Sequence, residues 1–485
     1  MSNEPASVDA GLCAFDASTL ARKIAARELS CHEVMQAYLA RIDRLNPKVN
    51  AIVSLQDADG LLAQARSRDD DLARGEHRGW LHGMPIAVKD LAPTAGIRTT
   101  MGSPIFAENV PTQDGLMVAR MKRAGAIVIG KTNVPEFGLG SQTYNQVFGA
   151  TRNAYDTSLC AGGSSGGAAV ALALRMVPVA DGGDMMGSLR NPAAFNNVYG
   201  FRPSQGRVPF APATDSFVSQ LGTEGPMGRT VQDMARLLAI QAGYDSSDPL
   251  SLDGDGRIFD GPLDLATQGL RIGWLGDLDG YLPMEAGVLA LCEAACNRLE
   301  SIGCRVEPGS LGFPPERLWS SWLVWRRLLQ GGKLAAHYHD EAKRALLKPE
   351  AIWEVENSLN TTAVDVFQAS AARSDWYRAC LALFERFDYL ALPTAQVFPF
   401  DVDTHWPTEV AGRSMDTYHR WMEVVIPATM AGCPAVSVPV GFDPAGRPMG
   451  MQLIGRPRDD LSVLKLAAAY EAATDWVNTR LPAMS

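Results

Sequence analysis

The 485-residue chain has few of the residues that several large function classes depend on. It contains 7 histidines, and none lies between His82 and His337. That span therefore offers no imidazole base and no histidine metal ligand. The eight cysteines (Cys13, Cys31, Cys160, Cys292, Cys296, Cys304, Cys380 and Cys433) include no CxxC pair, so the common zinc and dithiol spacings are missing. Eight cysteines in so long a chain do not make a disulfide framework, and reduced thiols in a cytoplasmic protein are the simplest account. Cys292 and Cys296, one helical turn apart, read as small apolar side chains. Positive charge is in deficit: 44 Lys and Arg against 54 Asp and Glu give a net charge of −10, with a pI near 5.3. That argues against a nucleic-acid or anionic-membrane partner, which would need a basic patch. No uncharged apolar run approaches the ~20 residues that span a bilayer. The opening MSNEPASVDAGL has neither the basic nor the apolar region of a secretory leader.

What is present is an ordinary globular composition, 46% apolar and 20% charged. The length suits one large or two ordinary domains, and the absence of repeats or a low-complexity linker favours one, residues 1–485. Residues 16–74 read as helical. Apolar residues at helical spacing run from Thr19 to Leu45 and end at Pro47, and a second helix covers Ala58 to Arg74. Pro85 to Val88 is a short buried strand, Val118 to Ala124 a helix, and Ala126 to Ile129 another buried strand. Between 140 and 210 glycine, serine and asparagine become dense. There Ala168 to Met176 is a helix and Val177 to Ala180 a strand. Alternation of this kind predicts an α/β layered fold. Residues 243–268 read as a surface loop. Leu270–Trp274, Ala286–Ser301 and Arg305–Glu307 read as strand, helix, strand. Seven of the ten tryptophans fall within 313–421, a helical stretch (Trp319, Trp322, Trp325, Trp353, Trp376, Trp406, Trp421). The first three, at three-residue spacing, are assigned to packing, since large aromatics dominate cores. Strands return at Ala435–Val440 and Gly450–Ile454, and a helix covers Leu461–Ala473.

Four segments carry candidate chemistry. Gly125 to Thr132 fits G-x-x-x-x-G-K-[ST], the phosphate-loop string. Its middle residues are apolar and strand-like, however, and Pro135 stands where the following helix should begin, so nucleotide hydrolysis is only a distant alternative. Gly162-Gly163-Ser164-Ser165-Gly166-Gly167 places two serines between glycine pairs, and each glycine loses much backbone entropy on folding. Such a loop suits close backbone approach. It also fits G-x-S-x-G, but an α/β-hydrolase would need a preceding strand and a later Asp and His. Lys89 follows an apolar strand, where burial would lower its pKa enough for a neutral base. Ser188 follows Asp184-Met185-Met186-Gly187. With Asn191 as a helix cap and Pro192 in the first turn, Ser188 would stand among free backbone N–H groups. His337-Tyr338-His339 reads as a solvated helix face, and no metal or cofactor site is expected.

Together these segments resemble the amidase signature family. The resemblance runs through Leu81–Asp90 (LHGMPIAVKD), Ala124–Gly138, Phe148–Asn153, Gly162–Gly167 (GGSSGG), Asp184–Ala194, Gly200–Val208, Gly225–Arg229 (GPMGR), Ala431–Phe442 and Gly450–Gly455 (GMQLIG). It implies an α/β amidase signature fold, a central twisted, mixed β-sheet covered on both faces by α-helices. The N-terminal helices would be 16–74, the signature core 75–240, a variable Trp-rich substrate-covering region 243–420, and the return to the core 421–485. It implies an amidase acting through Lys89 as base, Ser164 as bridging serine and Ser188 as nucleophile. The backbone N–H groups of Met185, Met186, Gly187 and Ser188 would form the oxyanion hole. Gly163 would precede Ser164 through a cis peptide, and Asp184 and Arg190 would brace the turn. Met185 and Met186 depart from the usual D-T-G-G-S. The substrate would be a small-molecule amide, with anilide, aryl carbamate and ester also open, and the protein a monomer or homodimer. Two rivals share the segments: an amidotransferase A-type subunit that feeds ammonia to partner chains, and a non-catalytic protein with a vestigial site.

Overall fold

The computed structural model describes residues 11–484. Residues 1–10, which carry most of the opening segment read above for a leader, lie outside them. The N-terminal helical stretch is two helices, not one, Ala17–Ala25 and Cys31–Val49. Arg27 takes a left-handed conformation (φ 57°) that ends the first. Ser30 and Glu33 then form a reciprocal capping box that starts the second, Ser30 Oγ accepting from Glu33 N at 3.0 Å and Glu33 Oε2 from Ser30 N at 2.9 Å. Pro47 does not end that helix. It sits inside the last turn, where its missing N–H forgoes a single bond, to the Asp43 carbonyl one turn back, and Asn50 closes the helix at φ 53°. A third helix, Ala58–Ala73, follows.

Two sheets organise the rest. The smaller has three strands, β1 (Ile52–Val53), β2 (Pro85–Lys89) and β3 (Ile127–Thr132), in the order β1-β3-β2. β2 runs parallel to β3, and all three strands are buried, as their unbroken apolar runs require. The larger sheet has eight strands. Its members are β4 (Ala180–Asp184), β5 (Tyr199–Arg202), β6 (Thr223–Gly228), β7 (Arg271–Trp274), β8 (Arg305–Pro308) and β9 (Tyr389–Pro393), then, past a small hairpin of β10 (Glu409–Val410) and β11 (Arg413–Ser414), β12 (Ala435–Phe442) and β13 (Pro448–Ile454). The order is β4-β6-β5-β12-β13-β9-β7-β8, parallel only around β7. This is the mixed α/β architecture expected, although Lys89 lies in the smaller sheet. The strand expected over Val177–Ala180 begins only at Ala180, because β6 pairs with residues 180–184.

Each sheet carries its own apolar core. One gathers the eight-stranded sheet with helices such as Val288–Ser301, Pro315–Arg326, Ala363–Arg386 and Asp460–Thr474. The other gathers the N-terminal helices, the three-stranded sheet and the helix Gly166–Ala173. The chain from 160 to 195 runs along the seam: Met186 and Phe195 belong to the first core, Ala161, Leu172 and Leu189 to the second. Trp319, Trp322, Trp325, Trp376 and Trp421 are buried in the first core, in keeping with packing. The described cysteines are all buried and none is in a disulfide.

Candidate active site

Lys89 is the last residue of β2, and its backbone N–H donates to both Asp181 carboxylate oxygens at 3.3 and 3.2 Å. That contact ties the small sheet to β4. It delivers the Lys89 side chain to the glycine-serine loop, where Nζ donates to Ser164 Oγ (2.9 Å), Ser165 Oγ (2.8 Å) and the Gly183 carbonyl (3.1 Å). Burial pushes the Lys89 pKa down to about 8, against the pull of Asp181, Asp184 and Glu224. Ser165 is a contact that no feature of the sequence distinguishes from Ser164.

The loop's glycines are fixed by space. A Cβ on Gly167 would come within 2.4 Å of Asn133 N and 2.5 Å of Ala51 O, both backbone. The Gly163–Ser164 peptide is cis. The loop is held from outside by Ser141, whose hydroxyl donates to the Gly163 carbonyl at 2.6 Å, and by Thr143, which donates to the Gly162 carbonyl at 2.8 Å.

Ser188 stands on the turn that leaves β4, nearly buried at 9% exposure. Its carbonyl accepts from Ser165 N at 3.2 Å, which fixes it beside the loop. Among the described residues its hydroxyl has no hydrogen-bond partner, so the Ser164–Ser188 link that the resemblance implies is not formed in this structure. The turn is shaped by Asp184. Its carboxylate accepts from Gly187 N (2.8 Å) and Leu189 N (3.2 Å) and is held in a fork by Arg190 at 3.0 Å on each oxygen. Arg202 adds a third cation contact at 3.5 Å. Burial alone would raise the Asp184 pKa; Arg190 and Arg202 overcome this and hold it well below the usual carboxylate range. Gly187 sits at φ 82°, which suits glycine.

Two expectations about this turn change. Gly187 N–H is committed to Asp184, so of the four expected oxyanion amides Met185, Met186 and Ser188 remain. Asn191 is not a helix cap: the helix runs Arg190–Phe195 with Leu189 before it, and Asn191 Oδ1 lies 2.5 Å from Ser141 Oγ. A six-residue helix has too few aligned peptides for a strong terminal dipole. The departures from D-T-G-G-S are absorbed locally. Met186 is buried in the larger core, and the Met185 sulfur accepts from Gln330 Nε2 at 2.9 Å. Gln330 lies in a π-helical turn, Arg327–Gly331.

The phosphate-loop string is overturned. Its Ile127–Thr132 is β3, no helix starts at Lys131, and Lys131 is buried, donating to Ala92 O (2.6 Å) and Thr94 Oγ1 (2.8 Å). The solvated face at His337 is corrected as well. His337 is half-buried and stacks on Phe137, centroids 6.0 Å apart, while His339 is exposed. No group of acidic, cysteine or histidine side chains among the described residues is arranged to hold a metal.

The family model for Amidase matches residues 33–464. The chain is 33% identical over 470 residues to an acylamidase of Rhodococcus erythropolis, covering 96% of this chain and 97% of that protein. It is 34% identical over 477 residues to the A-type subunit of the glutamyl-tRNA(Gln) amidotransferase of Roseiflexus sp. (strain RS-1), covering 94% and 95%. The solved structure of a bacterial aryl acylamidase of the amidase signature family superposes with a TM-score of 0.89 at 28% identity, over 95% of this chain and 96% of that one.

Proposed function

We propose a catalytic assignment from the premise that this chain belongs to the amidase family and is a hydrolase of carboxylic amide C–N bonds: Lys89 is the base, Ser164 the relay and Ser188 the nucleophile. The observation that carries it is the buried Lys89 Nζ donating to Ser164 Oγ at 2.9 Å beside the Asp184-braced turn that bears Ser188. Neutral Lys89 takes the Ser164 proton as Ser164 takes that of Ser188. The Ser188 oxygen then attacks the carbonyl carbon, and the amides of Met185, Met186 and Ser188 receive the oxyanion. Reversal of the relay delivers the proton to the departing amine and leaves an acyl ester on Ser188. A water, deprotonated through the same relay, attacks that ester and releases acid and free serine. Substrate closes the Ser164–Ser188 link, since catalytic hydrogen bonds often tighten only in the complex.

The proposed substrates are small-molecule acyl amides, anilides foremost, with aryl carbamates and esters served by the same attack. This is supported by what the names of the acylamidase and aryl acylamidase say of those proteins. We also propose a cytoplasmic monomer or homodimer. Near-equal identity to an amidotransferase A-type subunit favours a second reading, ammonia supply to partner chains. Purified chain assayed on an anilide, an aryl carbamate, an ester and glutamine separates the readings. Hydrolysis of an anilide without partners supports the first, and activity only with added partner chains supports the second. Ser188→Ala should lose several orders of magnitude in kcat and all fluorophosphonate labelling; activity equal to wild type would overturn the assignment.

A further inference from the structure

The carboxyl of Glu224 has no role in the site described so far. Glu224 lies on β6, paired across the ladder with Gly183 of β4. Gly183 is the residue whose carbonyl takes the third Lys89 hydrogen bond, at 3.1 Å. A Cβ built on Gly183 would stand 4.0 Å from Lys89 Nζ. Directly opposed residues of an antiparallel pair project to the same face, with Cβ positions ~4.5–5.5 Å apart. Gly183 has no side chain, so nothing of its own separates Glu224 from Lys89. Asp181, two residues back on β4, projects to this face too. Glu224 is half-buried and, among the described residues, its carboxyl makes no hydrogen bond or ion pair. It is a carboxyl on the sheet face that Lys89 occupies, and no hydrogen bond commits it elsewhere.

We propose that Glu224 is a positioning residue that acts through Lys89: its carboxylate favours the ammonium form and so sets the pH at which Lys89 becomes a free base. The inference rests on Lys89 being the base of the proposed mechanism.

Few charged groups surround Lys89. From β4 come Asp181, which holds the Lys89 backbone N–H, and Asp184, neutralised by Arg190 and Arg202. From β3, beside β2, comes Lys131, and the loop supplies only the hydroxyls of Ser164 and Ser165. Asp90, next in sequence, is committed to Thr100, accepting its hydroxyl at 2.6 Å. Glu224 is thus the one acidic group near Lys89 without a hydrogen-bonded or ion-paired partner among the described residues. Burial and the charge of Asp181 raise the Glu224 pKa to about 8, close to that of Lys89. The two groups therefore lose their protons over one pH range, and each carboxylate formed holds back the ammonium proton.

Removing the Glu224 charge leaves the Lys89 ammonium less stabilised, so the free base appears at lower pH. In a pH–rate profile on an anilide, Glu224→Gln should move the acid-side midpoint down by about half to one pH unit. It should be about 1.5- to 2-fold faster than wild type at the wild-type midpoint, and the two should converge well below it, where Glu224 is itself protonated and uncharged. The plateau at high pH should stay within a few-fold, and Glu224→Asp should retain most of the wild-type midpoint. A gain in rate cannot come from a merely damaged fold. An unchanged midpoint, or one moved upward, overturns the proposal. Titration of ¹³C-labelled Lys89 by NMR in the same variants gives a readout that needs no turnover, and an equal Lys89 midpoint in wild type and Glu224→Gln overturns it as well. Lys89→Met separates the two claims. If it abolishes activity while Glu224→Gln shifts nothing, only the Glu224 role fails; if it stays active, the base assignment fails and takes the Glu224 role with it.

Discussion

Replacing Arg190 with methionine should expose what holds the turn that bears Ser188 in place. Arg190 is fully buried and donates five hydrogen bonds: two to Asp184, both at 3.0 Å, and one each to Val425 O (3.0 Å), Gln452 Oε1 (2.7 Å) and Thr429 Oγ1 (3.1 Å). Methionine approximates the stem but leaves the Asp184 carboxylate with Arg202 as its only cation, at 3.5 Å. Removing one partner of a buried ion pair costs about 3–5 kcal/mol, and the surviving Arg202 places the expected loss near the lower end, about 3 kcal/mol. Arg190→Lys keeps the charge, but one ammonium cannot span both carboxylate oxygens and three further acceptors, so about 2 kcal/mol is expected. Denaturant unfolding followed by tryptophan fluorescence at about pH 7.5 measures both. The pH dependence adds a second check. Asp184 is held below its unfolded value of about 3.9, so its contribution is complete above that value and lost as pH falls through its native one. The Arg190→Met deficit should therefore shrink below about pH 4. A loss under about 1 kcal/mol near neutral pH, or equal losses for Lys and Met, would refute the reasoning that the fork braces the turn.

Two other perturbations test the loop that faces it. Ser165→Ala removes one of three acceptors of Lys89 and leaves Ser164 in place, so kcat should fall about 10-fold or less with KM unchanged, against the ~10²–10⁴-fold expected for Ser164→Ala as a lost proton-transfer group; steady-state kinetics on one anilide compare them. Gly167→Ala should destabilise by at least about 1–3 kcal/mol, because its methyl meets backbone atoms at 2.4 and 2.5 Å that have no rotamer to yield. Gly332→Ala, in a helix with nothing within 4 Å, should be neutral or stabilising in the same thermal melt.

The fold is legible in the sequence where local rules act alone. Unbroken apolar runs locate β2 and β3 to within a residue or so at most ends, and a surface-loop composition locates 243–268, whose described residues hold only a short 3₁₀ turn at Gly256–Phe259. Legibility fails where a distant partner decides. Val177 and Val179 are β-branched and read as strand, but β6 pairs from Ala180 onward, and a ladder cannot be seen in one strand's own residues. Pro47 reads as a terminator because proline removes a donor, yet the lost bond is a single one and the helix closes only at Asn50. The join between Ala25 and Cys31 escapes apolar periodicity, although its capping box, Ser30 with Glu33, is written in the sequence.

The site divides along the same line. Lys89 and the glycine-serine loop stand out because a lysine after an apolar strand and closely spaced glycines are local signals with a chemical cause, whereas Ser164 in particular and the Asp184–Arg190 pair are read through the family resemblance. Ser165 and Glu224 do not, because each acquires its meaning only from the side chain it faces. Ser165 differs from Ser164 only in which way the loop turns it. Glu224 is far from Lys89 along the chain and comes to the same face of the sheet only because β6 pairs with β4 at Gly183. The two methionines before Ser188 make the converse case. In the sequence they are the strongest departure from the family pattern, yet Met186 is buried in the larger core and Met185 meets Gln330. Asp184, not side-chain size at 185 or 186, holds Gly187 and Leu189 and thereby fixes the path of the turn. A bulky residue is tolerated there because the backbone is already tied on either side of it. The turn should accordingly be far more sensitive to loss of Arg190 than to replacement of Met186 by another apolar side chain of similar volume.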